Sequence, residues 1–490
     1  MVEAAMTDQP VDYEDIQGLV RFGYRRLTQA CFLLLRVTNP DAARAWLAQA
    51  PVTSATKREA PPETALHIAI TSAGLRALGV AEDIVEGFSS EFIVGMSSDS
   101  SRARRLGDLG PSDPAHWQWG GSLDTMPHVM VMLYAVPAEF DEWGRHAMSG
   151  AEEGFEQIAC LTTSDLDGVE PFGFADGISE PTIDWKRDRP ARDEELSDYT
   201  NLSCLGEYLL GYPNEYGEYT DRPLLDALRD PDAILPRAED APERADLGRN
   251  GSYLVLRQLQ QDVEGFWGFI DEQVQGDPVR RKQLAEAMVG RTMEGEPLMG
   301  RTNEAIDGED DPRNTFTYRS DTEGLRCPVG AHIRRSNPRN ADLPPGPPGF
   351  ISWAARTLGF DADALANDLV SSTRFHRLLR RGREYGVPPL EETGLHFICL
   401  GANIARQFEF VQSAWLSGLR FAGSRDESDP LIGNHQPRED GTASDTFSMP
   451  VPSGPDRRVC GLPQFVAVVG GAYFFLPGLR ALRYLSRGQP

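Results

Sequence analysis

A strand, a helix and a further strand recur in each half of the chain, and this recurrence restricts the fold more than any other feature. In the first half, QACFLLLRV after Leu27, TALHIAITS from Thr64 and MPHVMVMLYAV from Met126 are short runs rich in β-branched and aromatic residues, closed by Pro, Asn or Gly. They predict strands. Between them, DAARAWLAQA from Asp41 and SAGLRALGV from Ser72 have helical spacing, with Asp41 and Ser72 placed as N-caps. The second half resumes with NGSYLVLRQLQQDVEGFWGFI, a strand leading into a helix. It later offers GLHFICLGANI and QFVAVVGGAYFFLP as strands, with the helix-like ARQFEFVQSAWLSGL between them. The pattern predicts a duplicated α+β architecture with mainly antiparallel sheets.

Between the halves, from Asp184 to about Asn250, the sequence turns charged and Pro-rich, which reads as a long connection with little core of its own. The boundary is placed there, giving domains 1–240 and 241–490. A chain of 490 residues exceeds the roughly 250 to 300 at which single cores stop growing, so two domains are the natural expectation. A second Pro-Gly tract, Asp342 to Phe350, followed by an Asp- and Ala-rich segment to Val370, reads as a surface excursion that could shape access to a pocket.

Charge narrows the partners. With 48 Lys and Arg against 74 Asp and Glu, the formal charge of −26 repels nucleic acid and anionic membrane surfaces and favours neutral or cationic small molecules. The opening MVEAAMTDQPVDYEDIQG has no basic region, apolar core or twin arginine, and no apolar run is long enough to span a bilayer; a cytoplasmic protein is expected. Six scattered cysteines without CxxC spacing argue against a zinc site or a disulfide scaffold and are expected to be reduced.

Three stretches can carry chemistry. In CPVGAHIRRSNPR, Cys327 to Arg339, His332 is a candidate metal ligand: a neutral ring nitrogen can bind a metal while the other donates a hydrogen bond. Gly330 and Ala331 would leave room for a bulky group, and Arg334, Arg335 and Arg339 supply charge that pairs with carboxylates or phosphates. The plainer reading is a hydrogen-bonded structural histidine beside a solvated face. In PFGFADGISEP, Asp176 sits among glycines, ordinarily a turn, but Phe172, Phe174 and Ile178 would present its carboxylate from an apolar wall. In LLRRGREYG, Arg380 reads by itself as a basic helix end.

Taken together and in order, GFADG, CPVGAHIRRSNPR and LLRRGREYG resemble the dye-decolourising peroxidase family of haem enzymes, in its larger bacterial and fungal-like subgroup. DIQGLVRFGY, RRLGDLGPSDPAHWQWGG, GEYLLGYPNEYGE, NGSYLVLRQLQQDV and VVGGAYFFLPG look like family segments as well, so the resemblance spans roughly Asp15 to Gly478. It implies two ferredoxin-like domains, the first carrying the GFADG loop and the second holding haem b, iron protoporphyrin IX. It implies His332 as the iron ligand, Asp176 as the acid-base residue opposite it, and Arg380, with Arg381 adjacent, as the neighbouring arginine. Arg334 is implied to lie at the cofactor and Phe397 to form part of its wall. The acid behind the histidine is expected to be Asp429, with Glu409 second.

The implied activity is reduction of hydrogen peroxide and one-electron oxidation of phenolic, anilinic or dye-like reductants. A different class, a haem-handling protein with incidental peroxidase activity, is the alternative. Asp176 would take a proton from peroxide and return it to the departing oxygen while Arg380 stabilises developing negative charge. A carboxylate starting near pKa 3.9 can do this where an imidazole base would already be protonated, so activity is expected on the acid side of neutrality. Trp267, Trp353, Trp415 and Tyr385 are available as surface electron relays, Mn²⁺ would suit the acidic surface, and oligomerisation is open.

Overall fold

The computed structural model describes residues 10–188, 199–302, 306, 308–309, 311–339, 372–388, 392–424, 426–437 and 441–488. The first half folds as strand β1 (Gln29–Val37), helix α1 (Pro40–Leu47), strands β2 (Thr64–Ile70) and β3 (Val129–Ala135), helix α2 (Phe140–Ala147) and strand β4 (Phe155–Thr162). The second half repeats the plan. Strand β5 (Ser252–Gln261) leads into helices α3 (Val263–Val274) and α4 (Pro278–Val289). Short strands β6 (Leu379–Arg380) and β7 (Arg383–Tyr385) and strand β8 (Gly394–Gly401) follow, then a helix, then β9 (Val466–Leu476).

Within each half the fourth strand lies beside the first, the first beside the third and the third beside the second: β4-β1-β3-β2, and β9-β5-β8-β6 with β7 also on β8. This is the ferredoxin-like order, every pairing antiparallel, as the recurrence in the sequence predicts. The two halves make one nine-stranded sheet, joined where β9 meets β2 at a single residue pair, Phe475 opposite Ile70. Phe475 is fully buried there, its ring 4.8 Å from that of Phe88.

Both faces of the sheet are covered, which explains why its strands read as near-continuous apolar runs. Along β5, Tyr253 and Val255 face one cluster with Leu66, Ile68 and Phe408, while Leu254 and Leu256 face another with Phe32, Met130 and Phe474. A third cluster packs α3 and α4 against Phe172, Phe174 and Phe465.

Local chemistry shifts two expected helix starts. At α1 the cap is Asn39, whose side chain accepts from the amides of Asp41 and Ala42, because Pro40 takes the first helical position where its missing N–H is no loss. At Ser72–Ala77 the cap is Thr71, which accepts from Gly74, while the Ser72 hydroxyl donates to the Ile93 carbonyl. LLRRGREYG is two strand segments, not a helix end.

The connection between the halves also differs from expectation. Several of its charges are paired, and some of the pairs are buried: Arg222 with Asp246 (2.6 Å) and with the more exposed Asp240, and Arg249 and Arg187 with Glu239 (2.7 and 2.9 Å). Tyr208, Leu209, Leu210 and Tyr212 enter the main cores. Charge neutralised by geometry can be buried, which composition alone does not reveal. The Pro-Gly tract at 342–350, the segment after it to Val370, and Trp353 lie outside the described residues.

His67 on β2 is fully buried, and neither ring nitrogen has a polar partner among the described residues. Burial pushes its pKa from 6.5 down to about 3. The unfolded chain therefore binds a proton that the folded chain refuses, and stability falls as pH drops from 6.5 towards 3, by on the order of 5 kcal/mol at about 1.4 kcal/mol per pKa unit. Denaturant unfolding of His67→Leu across this range should show a visibly shallower acid-side loss than the parent; an unchanged slope would contradict the assignment.

Candidate active site

The His332 stretch forms a helix of five residues, α5 (His332–Ser336), too short to hold itself by its own hydrogen bonds. Its arginines hold it. Arg335, fully buried, donates to the carbonyls of Trp415 (2.6 Å), Gly418 (3.0 Å) and Glu427 (2.6 Å). Arg339 donates to the carbonyls of Asn314 and Phe316 and lies 3.8 Å over the Phe316 ring. Arg334 is 2 % exposed and donates to the Asp321 carboxylate (3.2 Å), the Asp321 carbonyl (2.7 Å) and the Cys327 carbonyl (2.7 Å).

Arg334, expected to lie at the cofactor, has its charge matched by Asp321 inside the protein. The room expected beside Gly330 is corrected, since a methyl group there would meet the Phe447 ring at an ordinary 3.5 Å. Gly330 is not what gives a bulky group access.

His332 itself points where its helix's arginines do not. Its Nδ1 lies 2.9 Å from Oδ2 of Asp429, and its side chain keeps 29 % of its surface while Asp429 keeps none. Asp429 accepts at its other oxygen from the amides of Leu431 (2.9 Å) and Ile432 (3.0 Å), and its own amide donates to the Leu416 carbonyl. Burial raises the carboxyl's pKa, but His332, the Ile432 amide and Arg335 together hold it below 3.8. Burial also disfavours the imidazolium, yet Asp429 outweighs it and the His332 pKa lies above 6.5. Nδ1 thus donates and Nε2 has no hydrogen-bond partner among the described residues, the tautomer a metal-ligating imidazole needs.

Glu409, the second candidate for this place, is elsewhere: it lies 3.3 Å from Arg102 and accepts from the Tyr473 hydroxyl (2.9 Å). It belongs to a helix wound with π turns, Ala405–Glu409 and Val411–Leu416, whose far end supplies the carbonyls that hold Arg335 and Asp429.

Asp176 and Arg380 meet across 204 positions of sequence, with Nη1 3.2 Å from Oδ1. Strand geometry chooses between the adjacent arginines. Arg380 turns to the Asp176 loop, donating also to the Ser179 carbonyl and lying 3.0 Å from Glu180, whereas Arg381 donates to the carbonyls of Leu19 and Val20. Desolvation pushes Asp176 up, but Arg380, the Gly177 amide and Arg25 bring it below 3.8. Both side chains remain about a third exposed, and the positive field of Arg380 reaches His332. Phe397 is half-buried on β8, two residues along from Cys399, the cross-strand partner of Arg380, so it shares the face of the sheet with Arg380.

Two residues the sequence reading passed over complete the site. Glu180, in the same GISEP segment as Asp176, accepts from the Arg380 amide (2.8 Å) and pairs with its guanidinium. Glu170 accepts from the amides of Phe172 and Phe174 and from Gln261 on β5 (2.9, 2.9 and 2.8 Å), tying the Asp176 loop to the sheet; burial pushes its pKa to about 7. The apolar frame is as read, with Phe172, Phe174 and Ile178 all buried. Positive φ at Gly173 and Gly177 lets the loop turn around Asp176, and a side chain at Gly177 would strike Arg25.

Of the aromatics named as relays, Trp415 and Tyr385 are buried and Trp267 is half-covered, 3.9 Å beneath the Arg281 guanidinium. Among the described residues no group of three or more His, Cys, Asp or Glu is arranged to hold a bare metal ion, and no helix is long and apolar enough to cross a membrane.

No protein-family model matches the chain. It is 28 % identical to the dye-decolorizing peroxidase msp1 of Mycetinis scorodonius, over 98 % of this chain and 88 % of the relative. It is 27 % identical to the multifunctional dye peroxidase DyP2 of Amycolatopsis sp., over 76 % of this chain and 74 % of the relative. Among solved structures it is similar to a fungal DyP-type peroxidase from Auricularia auricula-judae, with a TM-score of 0.69 and 25 % identity, covering 98 % of this chain and 100 % of that one.

The His332–Asp429 pair yields a direct expectation. In the haem-free protein, Asp429→Asn should drop the His332 pKa from above 6.5 to below it, since burial remains and the opposing charge is gone. An NMR titration of the His332 ring would read this, and an unmoved pKa would show that the pair is not coupled.

Proposed function

This chain belongs to the dye-decolourising peroxidase family, and from that membership and its site we propose a haem-dependent enzyme. It reduces hydrogen peroxide and oxidises phenolic, anilinic or dye-like donors by one-electron steps. The observation that carries the reading is the presence of two built pairs within electrostatic reach of each other, a carboxylate-backed imidazole with one ring nitrogen unengaged and a carboxylate–guanidinium pair whose field reaches it. Haem b fits these residues: His332 would hold the iron through Nε2, with Phe397 on the wall. Bound there, haem would supply the redox chemistry of peroxide reduction and pass oxidising equivalents singly to organic donors.

The chain's own residues manage protons and charge. Asp176, ionised through most of the acid range because Arg380 holds its pKa down, takes the proton from one peroxide oxygen and delivers it to the other, which leaves as water. Arg380 offers its guanidinium to the negative charge that builds as the O–O bond opens, and Glu180 fixes that guanidinium in place. Asp429 keeps the His332 proton on Nδ1 and the ring in one orientation. A haem-handling protein would need neither Asp176 nor Arg380 as placed, and it is the less supported reading.

Asp176→Ala should slow reaction with peroxide by roughly 10²- to 10⁴-fold in stopped-flow spectroscopy while haem content is unchanged. The parent's acid limb should lie below pH 3.8, and Arg380→Leu should move it upward, because desolvation then acts on Asp176 without its main opponent. Activity that rises to a plateau only above about pH 7 would contradict the assignment of Asp176.

His332→Ala, reconstituted with haem, should lose or strongly alter the Soret band near 400 nm relative to the parent. An identical spectrum in the variant would remove the proposed iron ligand.

A further inference from the structure

Away from the site, two cysteines are in contact. Cys31 on β1 and Cys160 on β4 lie one diagonal step apart on neighbouring antiparallel strands, with Cys31 opposite Thr162 and Leu33 opposite Cys160. Their sulfur atoms are 2.7 Å apart. That is closer than unbonded sulfurs rest, and a small movement from the roughly 2.05 Å of a disulfide. The pair is asymmetric: Cys31 is buried beneath the strands, whereas Cys160 faces solvent on the outermost strand of the sheet.

The asymmetry extends to reactivity. The Cys31 sulfur beside it lowers the Cys160 pKa to about 7 against the opposing effect of burial, and Cys31 is raised by the same contact and by its own burial. A solvent-facing thiol with much of its population ionised near neutrality, backed by a second thiol that peroxide cannot easily reach, is the arrangement of an attacking and a resolving cysteine.

We propose that Cys31 and Cys160 are a peroxide-oxidised pair that closes into a disulfide, a modification site separate from the active site. The oxidant is the enzyme's own substrate. The Cys160 thiolate attacks one oxygen of hydrogen peroxide; the S–O bond forms, the O–O bond breaks, and the leaving hydroxide is protonated to water. Cys31 then attacks the sulfenic sulfur; the S–S bond forms, the S–O bond breaks, and the departing hydroxyl leaves with the Cys31 proton as a second water. Two thiols lose two electrons and two protons, and one peroxide becomes two waters. No metal takes part.

The bond would fasten the outer strand β4 to β1, closing the loop of chain that holds the first ferredoxin-like unit. A cross-link over so long a loop restricts the unfolded chain, so the oxidised form should melt at a higher temperature than the reduced form.

The test uses the full chain, its Cys31→Ser and Cys160→Ser variants and, separately, His332→Ala, each treated with equimolar hydrogen peroxide. In the parent the free-thiol count should fall by two from the six in the sequence, and a non-reducing peptide map should join the Cys31 and Cys160 peptides until dithiothreitol is added. Cys31→Ser should stop at a dimedone-reactive sulfenic acid on Cys160, and Cys160→Ser should keep all its thiols and gain no melting temperature. His332→Ala should form the bond as the parent does, so failure of the peroxidase reading and failure of this one are distinguishable. An unchanged thiol count in the parent, or Cys160 carried to sulfinic acid with no linked peptide, would overturn the proposal.

Discussion

One cation is shared between two carboxylates, and the site depends on it. Asp176 and Glu180 sit four residues apart on one turn of chain, where each raises the cost of charging the other. Arg380 lies between them, 3.2 Å from the first and 3.0 Å from the second. Remove it, and like charges in a desolvated setting would take up protons or separate. Arg380 comes from the second half of the chain and the loop from the first, so this bridge also closes the two halves on each other. The backbone reinforces it, since the Arg380 amide donates to Glu180 while Arg380 is itself held in register opposite Cys399.

The fold was largely legible because it is written in local periodicity. Runs such as SYLVLRQLQQ and VAVVGGAYFFL announce strands, and the repetition of strand and helix announces duplication. What was not legible is decided by pairing at a distance. Nothing in the connection between the halves says that Arg222 will find Asp246 or Arg249 find Glu239, and without those pairs the same residues read as solvated chain. Nor does periodicity reveal that two sheets become one through Phe475 and Ile70.

The site divides along the same line. Asp176 could be suspected from its own neighbours, the glycines that permit the turn and the phenylalanines that form its wall. Arg380 could be separated from Arg381 only once the segment was seen as a strand, since alternate residues of a strand face opposite ways. Asp429 stands 97 positions from His332 and Glu409 only 77, so separation along the chain could not rank them; the helix that carries Glu409 turns it to Arg102 and Tyr473 instead. The partner of Arg334 was not legible, because a guanidinium in a motif looks the same whether it serves a ligand or an internal aspartate such as Asp321. Glu170 was passed over since its carboxylate accepts from amides two and four residues onward, a pattern any surface turn shares.

The short helix bearing His332 is fixed from outside itself, by Arg335 reaching three carbonyls of the following segments and by Arg334 and Arg339 anchoring the flanks. The position of the imidazole is therefore set by contacts within the chain itself. A ligand entering such a site has little side-chain freedom left to quench, and its association need not wait for the chain to rearrange. A side chain fixed in this way presents an incoming ligand with one orientation rather than a range of them.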